Sequence, residues 1–158
     1  KYGVKVTAFE VDHQPVIPSY GYRIDYEGKS VTLSGDTRIC ENLIKHANNT
    51  DLLVHNVGAA RKEDLKVSER YRKIMDLHSP PEKTGELFAR VKPKLAVYSH
   101  MVLFKVSKDE IVARTRKTYD GPLEIGEDLM TFDIGETIKT HRPKDTANYR
   151  QQEIVPAL

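Results

Sequence analysis

The sequence predicts a mixed α/β fold whose polar side chains collect at strand ends. Short β-branched runs alternate with helix-period segments in the order β, β-hairpin, α, β, α, β, α, β-hairpin. Four of those runs lead into a titratable side chain: Val4 to Asp12 into His13, Lys29 to Leu33 through Ser34-Gly35 into Asp36, Asp51 to Val54 into His55, and Leu95 to Ser99 into His100. Open α/β sheets place functional groups at strand carboxyl ends, so this arrangement points to a site there. Neither a G-x-G-x-x-G nor a P-loop pattern occurs, which argues against a nucleotide fold.

Composition narrows the classes. The 158 residues suffice for one domain with a real core, or for half of a larger one. A net charge of +2 makes no electrostatic case for nucleic acid or membrane, although a local patch can do what the total does not. One cysteine, Cys40, excludes an internal disulfide and a cysteine-based zinc cluster. No apolar run approaches transmembrane length. The chain begins at Lys1 rather than Met and enters a strand pattern almost at once, so a preceding segment is expected. The compartment, cytoplasmic or periplasmic for a soluble protein, is not fixed by these residues.

The elements follow in order. Val4 to Val11 is a β-branched strand, and the two prolines within Gln14 to Pro18 make a loop. Tyr20 to Tyr26, the Glu27-Gly28 turn and Ser30 to Leu33 form a hairpin that brings Asp36 back near the end where the hairpin began. Glu41 to Ala47 has a helical period, with His46 as a solvated surface residue. Asp51 to Val54 reads as a buried strand, 58–66 as a polar loop, and Val67 to Met75 as a helix whose Arg70, Arg72 and Lys73 form a solvated face. Ser79 is placed to cap the next helix, with prolines in its first turn and Glu82 completing a capping box. Leu95 to Ser99 is a strand and Lys108 to Thr115 a helix capped by Ser107 or Asp109. Leu123 to Ile125 and Leu129 to Ile134 read as a closing β pair. Residues 136–158 read as a polar tail, in which His141 is given no role.

Strand ends carrying His, Asp, His and His resemble one edge of a metal site, because carboxylates and neutral imidazoles are the donors that divalent ions take. Singly, each is an ordinary turn residue; four together favour the site. His78, just before a helix N-terminus, is either a structural pre-cap residue or a proton donor aimed at an anion held by the helix end.

A resemblance now comes into view. The ordered blocks Val11-Asp12-His13, Ser19-Tyr20-Gly21-Tyr22-Arg23, Leu33-Ser34-Gly35-Asp36-Thr37, Asp51-Leu52-Leu53-Val54-His55, His78-Ser79 and Tyr98-Ser99-His100 resemble the C-terminal half of metallo-β-lactamase-fold hydrolases, in the branch of tRNase Z and its arylsulfatase-like relatives. The resemblance covers about residues 4–135. It implies that residues 1–135 are half of a four-layer αβ/βα sandwich with a two-metal site, zinc by preference and manganese or iron as other occupants. By that resemblance His13 and His100 each bind one metal, Asp36 bridges both, and His78 is the proton donor to the leaving group. His55 shapes the site, and Asp12 and the backbone are candidate acceptors behind a metal-bound His.

Three departures qualify the match. The family's His-x-His-x-Asp-His run is absent and would lie before Lys1. Asn56 stands where the tRNase Z branch has Glu, and Pro80 replaces the Thr of a His-Ser-Thr block. Two protein ligands per metal are too few for a stable catalytic site, so the chain by itself is expected to be inactive and to need the N-terminal half of its domain as partner. The expected activity is hydrolysis of an anionic ester by a dinuclear metal-activated hydroxide. Small phosphodiesters and sulfate esters are favoured over tRNA, with RNA retained as a substrate class. A homodimer is an assembly found among relatives. The competing readings are a degenerate, non-catalytic interaction module and an iron-dependent redox protein of the same fold.

Overall fold

The computed structural model describes residues 3–143. Among them a six-stranded sheet has the order β1 (Lys5–Glu10), β2 (Tyr20–Tyr26), β3 (Lys29–Leu33), β4 (Leu52–Ala60), β5 (Leu95–Phe104) and β6 (Leu123–Ile125). β1, β2 and β3 pair antiparallel, as the Glu27-Gly28 turn predicts; the β3–β4, β4–β5 and β5–β6 pairs are parallel. The helices are α1 (Glu41–Ala47), α2 (Lys62–Val67), α3 (Glu69–Met75), α4 (Pro81–Val91) and α5 (Lys108–Thr115).

Alternation along the strands divides the apolar residues between two faces. Phe9, Leu53, Ala96 and Tyr98 join Leu43 of α1, Leu87, Phe88 and Val91 of α4, and Ile111 of α5 in the main core. On the opposite face Leu52, Leu95 and Val97, with Val31 and Val54, pack against Phe132, Ile134 and Ile138. Those three belong to a separate hairpin, β7 (Thr131–Ile134) paired with β8 (Ile138–His141). Leu52 and Leu53 are both buried because β4 is covered on both sides, which also explains why it reads as an apolar run. The hairpin covers only part of that second face. On β1–β3, Val4, Val6, Tyr22, Tyr26 and Leu33 remain exposed on the same side as Val31 and Val54.

Several expectations need correction. β4 does not stop at Val54, so His55 lies inside a strand rather than at its tip, and β5 likewise runs past His100 to Phe104. The extra length is possible because Gly58-Ala59-Ala60 and Met101 to Phe104 continue the parallel pairing beyond an irregularity. The segment expected as a polar loop therefore contributes the end of β4 and then α2. Val67 ends α2 rather than opening the next helix, because Ser68 leaves the helical conformation and its hydroxyl accepts the Tyr71 N–H, capping α3.

Ser79 does not cap α4. Pro80 occupies that position without a side-chain bond, while the Ser79 hydroxyl donates to the Thr37 carbonyl at 2.9 Å. Glu82 closes no capping box; a bidentate pair with Arg114 of α5 occupies its carboxylate. The capping box that does form is that of Ser107 and Glu110 on α5. β6 and β7 do not pair with each other: β6 extends the large sheet and β7 finds β8, a strand inside the expected tail. Residues 144–158 of that tail lie outside the described residues.

Candidate metal centre

Each side chain of the cluster is positioned by an identifiable backbone device. Asp36 follows Ser34-Gly35, where the chain leaves β3. Gly35 has φ +64°, and a Cβ there would stand 2.6 Å from the Tyr20 carbonyl oxygen on the neighbouring strand. Glycine is thus the residue that lets the turn pass close to β2 and deliver the carboxylate. The turn is tied down further along: the Arg38 N–H donates to the Asp12 carbonyl at 2.7 Å and Thr37 Oγ1 donates to the same carbonyl at 3.2 Å.

His100 owes its direction to a β-bulge. Asn56 pairs with Ser99 and Val57 with Met101, so His100 is the extra residue on β5, with φ +42°. Bulges re-aim side chains in this way. Its Nε2 lies 3.3 Å from Asp36 Oδ2.

His13 and His78 are oriented by carbonyls. His13 Nδ1 is 3.0 Å from the Leu77 oxygen, and His78 Nδ1 is 2.8 Å from the Ile74 oxygen. A carbonyl can only accept, so both rings carry the proton on Nδ1 and offer the Nε2 lone pair. A peptide oxygen behind each imidazole is the arrangement that metal-binding histidines use. The Gly58 N–H donates to the Ser79 carbonyl at 3.0 Å, fixing the segment that carries His78 onto β4.

The result is one cluster. Ligand atoms of Asp36, His78 and His100 all lie within 4.8 Å of one another. The His78 ring centroid is 5.4 Å from that of His100 and 5.7 Å from that of His13. His78 is only 7% exposed, and its Nε2 has no hydrogen-bond partner among the described residues. A buried imidazole nitrogen left unpaired is costly, so this atom fits a group that supplies a partner. The donor set of one carboxylate and imidazole nitrogens suits zinc or a similar divalent ion.

Two expected site residues are not part of the cluster. His55 is completely buried against Phe88 on the helix-packed face, with ring centroids 6.0 Å apart, and burial pulls its imidazole down to about 3. It is a neutral core residue. Asp12 does not back a histidine: its carboxylate holds Arg38 at 2.8 Å and the Gln14 N–H at 3.3 Å, and the Leu77 carbonyl takes the place expected for it behind His13. His46 is not freely solvated but stacks on Phe9 at 4.5 Å.

Residues 1–101 match the model of the β-lactamase superfamily domain. A ribonuclease Z from Mycolicibacterium gilvum is 34% identical over 133 residues, which cover 83% of this chain and 46% of that relative. The chain belongs to the β-lactamase superfamily, in its ribonuclease Z branch. The chain spans about half the length of the curated relatives it matches. Among solved structures, the metallo-β-lactamase fold protein YhfI from Bacillus subtilis superposes with a TM-score of 0.63 at 16% identity, over 79% of this chain and 47% of that one. The short form of human tRNase Z superposes with a TM-score of 0.54 at 19% identity, over 82% of this chain and 43% of that one. These likenesses bear out the fold expected from the sequence, an α/β arrangement that covers part of the metallo-β-lactamase domain.

In this superfamily member the departure at Asn56 has a visible consequence. The side chain is buried, and neither its Oδ1 nor its Nδ2 finds a partner among the described residues. The Leu77 carbonyl behind His13 is the backbone acceptor expected as the alternative to Asp12, whereas the positioning roles of Gly58 and of the Ile74 carbonyl were not anticipated. The small residue at 58 is the one signal in the sequence that could have indicated a close approach.

Proposed function

We propose that this chain supplies part of the active site of a metal-dependent phosphodiester hydrolase. The observation that carries the reading is the convergence of Asp36, His78 and His100 on one point, with the buried His78 Nε2 lacking a partner. The ribonuclease Z relatives support a phosphodiester as the bond attacked. In this reading Asp36 bridges two divalent ions, zinc by preference, and His13 and His100 each hold one of them. When bound, the ions supply a hydroxide near neutral pH and stabilise charge on the attacking and leaving oxygens.

His78 acts beside them. Its Nδ1–H is fixed by the Ile74 carbonyl, so a second proton can be taken up only at Nε2 and handed on from there to the departing oxygen. Asp12 contributes indirectly: by holding Arg38 it braces the turn that carries Asp36.

Two further ligand sets are needed, and they belong to the other half of the domain. The exposed Val6, Tyr22 and Leu33 face supports a second sheet packing there, as does the fraction of the relatives that this chain spans. A homodimer is a further level of assembly in this reading.

Metal analysis of the full-length protein tests the proposal. We expect about two zinc equivalents, lost in Asp36→Ala and reduced in His13→Ala. His78→Ala should keep the metal and lose phosphodiester hydrolysis by about 10²–10⁴-fold, the usual scale of a general acid. Loss of metal in His78→Ala would make that residue a ligand instead. A wild-type protein without metal would favour the non-catalytic module.

A further inference from the structure

We propose that Arg38 is a positioning residue of the metal centre: its guanidinium clamps the loop that carries His13 and so fixes that imidazole against Asp36. The inference rests on the metal-centre reading above and gives a role to a residue outside the ligand set. The need for a clamp follows from the topology. His13 lies beyond the end of β1 and Asp36 beyond the end of β3, and β2 stands between those two strands. No ladder bond therefore joins the two ligand-bearing segments directly.

Arg38 spans that gap from the Asp36 side. Its backbone N–H donates to the Asp12 carbonyl at 2.7 Å. The side chain reaches further: Nη1 donates to Asp12 Oδ1 at 2.8 Å and Nη2 to the Gln14 carbonyl at 3.1 Å. Asp12 and Gln14 are the chain neighbours of His13, so one guanidinium holds that residue from both sides. The loop also closes on itself, with the Gln14 N–H on Asp12 Oδ1 at 3.3 Å and the Val16 N–H on the His13 carbonyl at 2.9 Å. The same turn reaches the segment of His78. The Thr37 carbonyl, between Asp36 and Arg38, accepts the Ser79 hydroxyl at 2.9 Å.

The chemistry of the side chain suits this role. A planar guanidinium presents its donors as a fixed fork and can serve a carboxylate and a carbonyl together, whereas an ammonium is a point charge on a flexible stem. Arginine near a metal centre is also the usual ligand of a substrate phosphate. Here both terminal nitrogens are committed to the His13 loop, and the geometry favours the clamp. The two side chains of the ion pair are 33% and 41% exposed, and pairs of that kind add little to global stability. The consequence is local: it is the placing of His13 relative to Asp36.

Zinc titration of the full-length protein against a competing chelator tests the assignment. Arg38→Met should weaken zinc binding about tenfold, the low end of what an outer partner of a metal ligand contributes, and Arg38→Lys should fall between it and wild type. Asp12→Ala should act similarly, and the double variant should be no worse than the worse single one, because both cut the same link. Arg90→Met removes another arginine pair with two hydrogen bonds, that with Glu41 on α1, and should leave zinc binding unchanged. Unchanged zinc affinity in Arg38→Met, an equal loss in Arg90→Met, or additive losses in the double variant overturns the proposal. Unchanged zinc affinity with a raised KM for bis(p-nitrophenyl) phosphate would make Arg38 a phosphate ligand and overturn it as well.

NMR relaxation of the metal-free protein separates this result from the metal reading. In Arg38→Met the backbone order parameter of His13 should fall from the rigid range near about 0.85 towards about 0.6, while that of His78 stays unchanged. If the wild type takes up no zinc but His13 alone responds in this way, the clamp stands and the hydrolase reading fails. If the wild type takes up no zinc and His13 does not respond, the clamp falls with it.

Discussion

Gly35→Ala is the sharpest single test of how the turn after β3 delivers Asp36. Two effects act on the substitution. The backbone sits at φ +64°, and an L-residue held there is less stable than glycine by about 1 kcal/mol. The new methyl would also stand 2.6 Å from the Tyr20 carbonyl oxygen, which belongs to the backbone of β2 and cannot swing aside. Forcing an extra carbon into such a contact costs about 1–3 kcal/mol more. Gly28 provides an internal control: it has φ +73° and nothing within 4 Å of a built Cβ, so Gly28→Ala carries the conformational effect alone. Urea denaturation of the full-length protein should therefore show Gly28→Ala destabilised by about 1 kcal/mol and Gly35→Ala by about 2–4 kcal/mol. Metal content measured beside it should be normal in the first and reduced in the second. Equal destabilisation of the two variants would refute the close approach to Tyr20, and full metal occupancy in Gly35→Ala would refute its role in aiming Asp36.

Other outcomes follow from the same structure. His55 is neutral in the folded state because burial lowers its value from 6.5 to about 3. The unfolded chain binds the extra proton first, so stability is full above about pH 6.5 and falls as pH drops towards 3, by up to about 1.4 kcal/mol per unit. His55→Leu removes two buried ring nitrogens without partners, so its loss of stability between pH 7 and pH 5 should be smaller than wild type by roughly 2 kcal/mol, measured by urea titration at both values. Ser107→Ala removes the hydroxyl that accepts the Glu110 N–H, keeps the backbone N–H bond to the Glu110 carboxylate, and should lower stability by about 1 kcal/mol, whereas Ser79→Ala should leave the N-terminus of α4 intact and instead loosen the link to Thr37.

Much of the sheet was legible because local chemistry and final environment agree. The Glu27-Gly28 turn joins β2 and β3 as its residues predict, and Glu27 and Gly28 take positive φ values of 45° and 73°. Lys108 to Thr115 is a helix with the Ser107 cap that its sequence announces. The cluster was partly legible for the same reason, since His13, Asp36 and His100 each follow a β-branched run. The errors fall where a partner distant in sequence overrode a local rule. Ser79 and Glu82 have the spacing of a capping box, yet Thr37 and Arg114 claim their side chains. Leu123 to Ile125 and Leu129 to Ile134 look like a hairpin, yet β6 has a better neighbour in β5.

The order of elements, the turn glycines and the presence of histidines and Asp36 at the ends of apolar runs are properties of the sequence itself, because each depends on the conformational preference of a few adjacent residues. Which of those groups share a site is not. His55 and His100 look alike as residues that follow short strands, yet pairing of β4 with β5 leaves one inside the core and turns the other outward through a bulge. His78 joins Asp36 and His100 because the Ile74 carbonyl fixes its ring and the bare Gly58 lets its segment lie on β4. Register, bulges and close backbone contacts are set by packing across the whole sheet, and only the tertiary structure decides them.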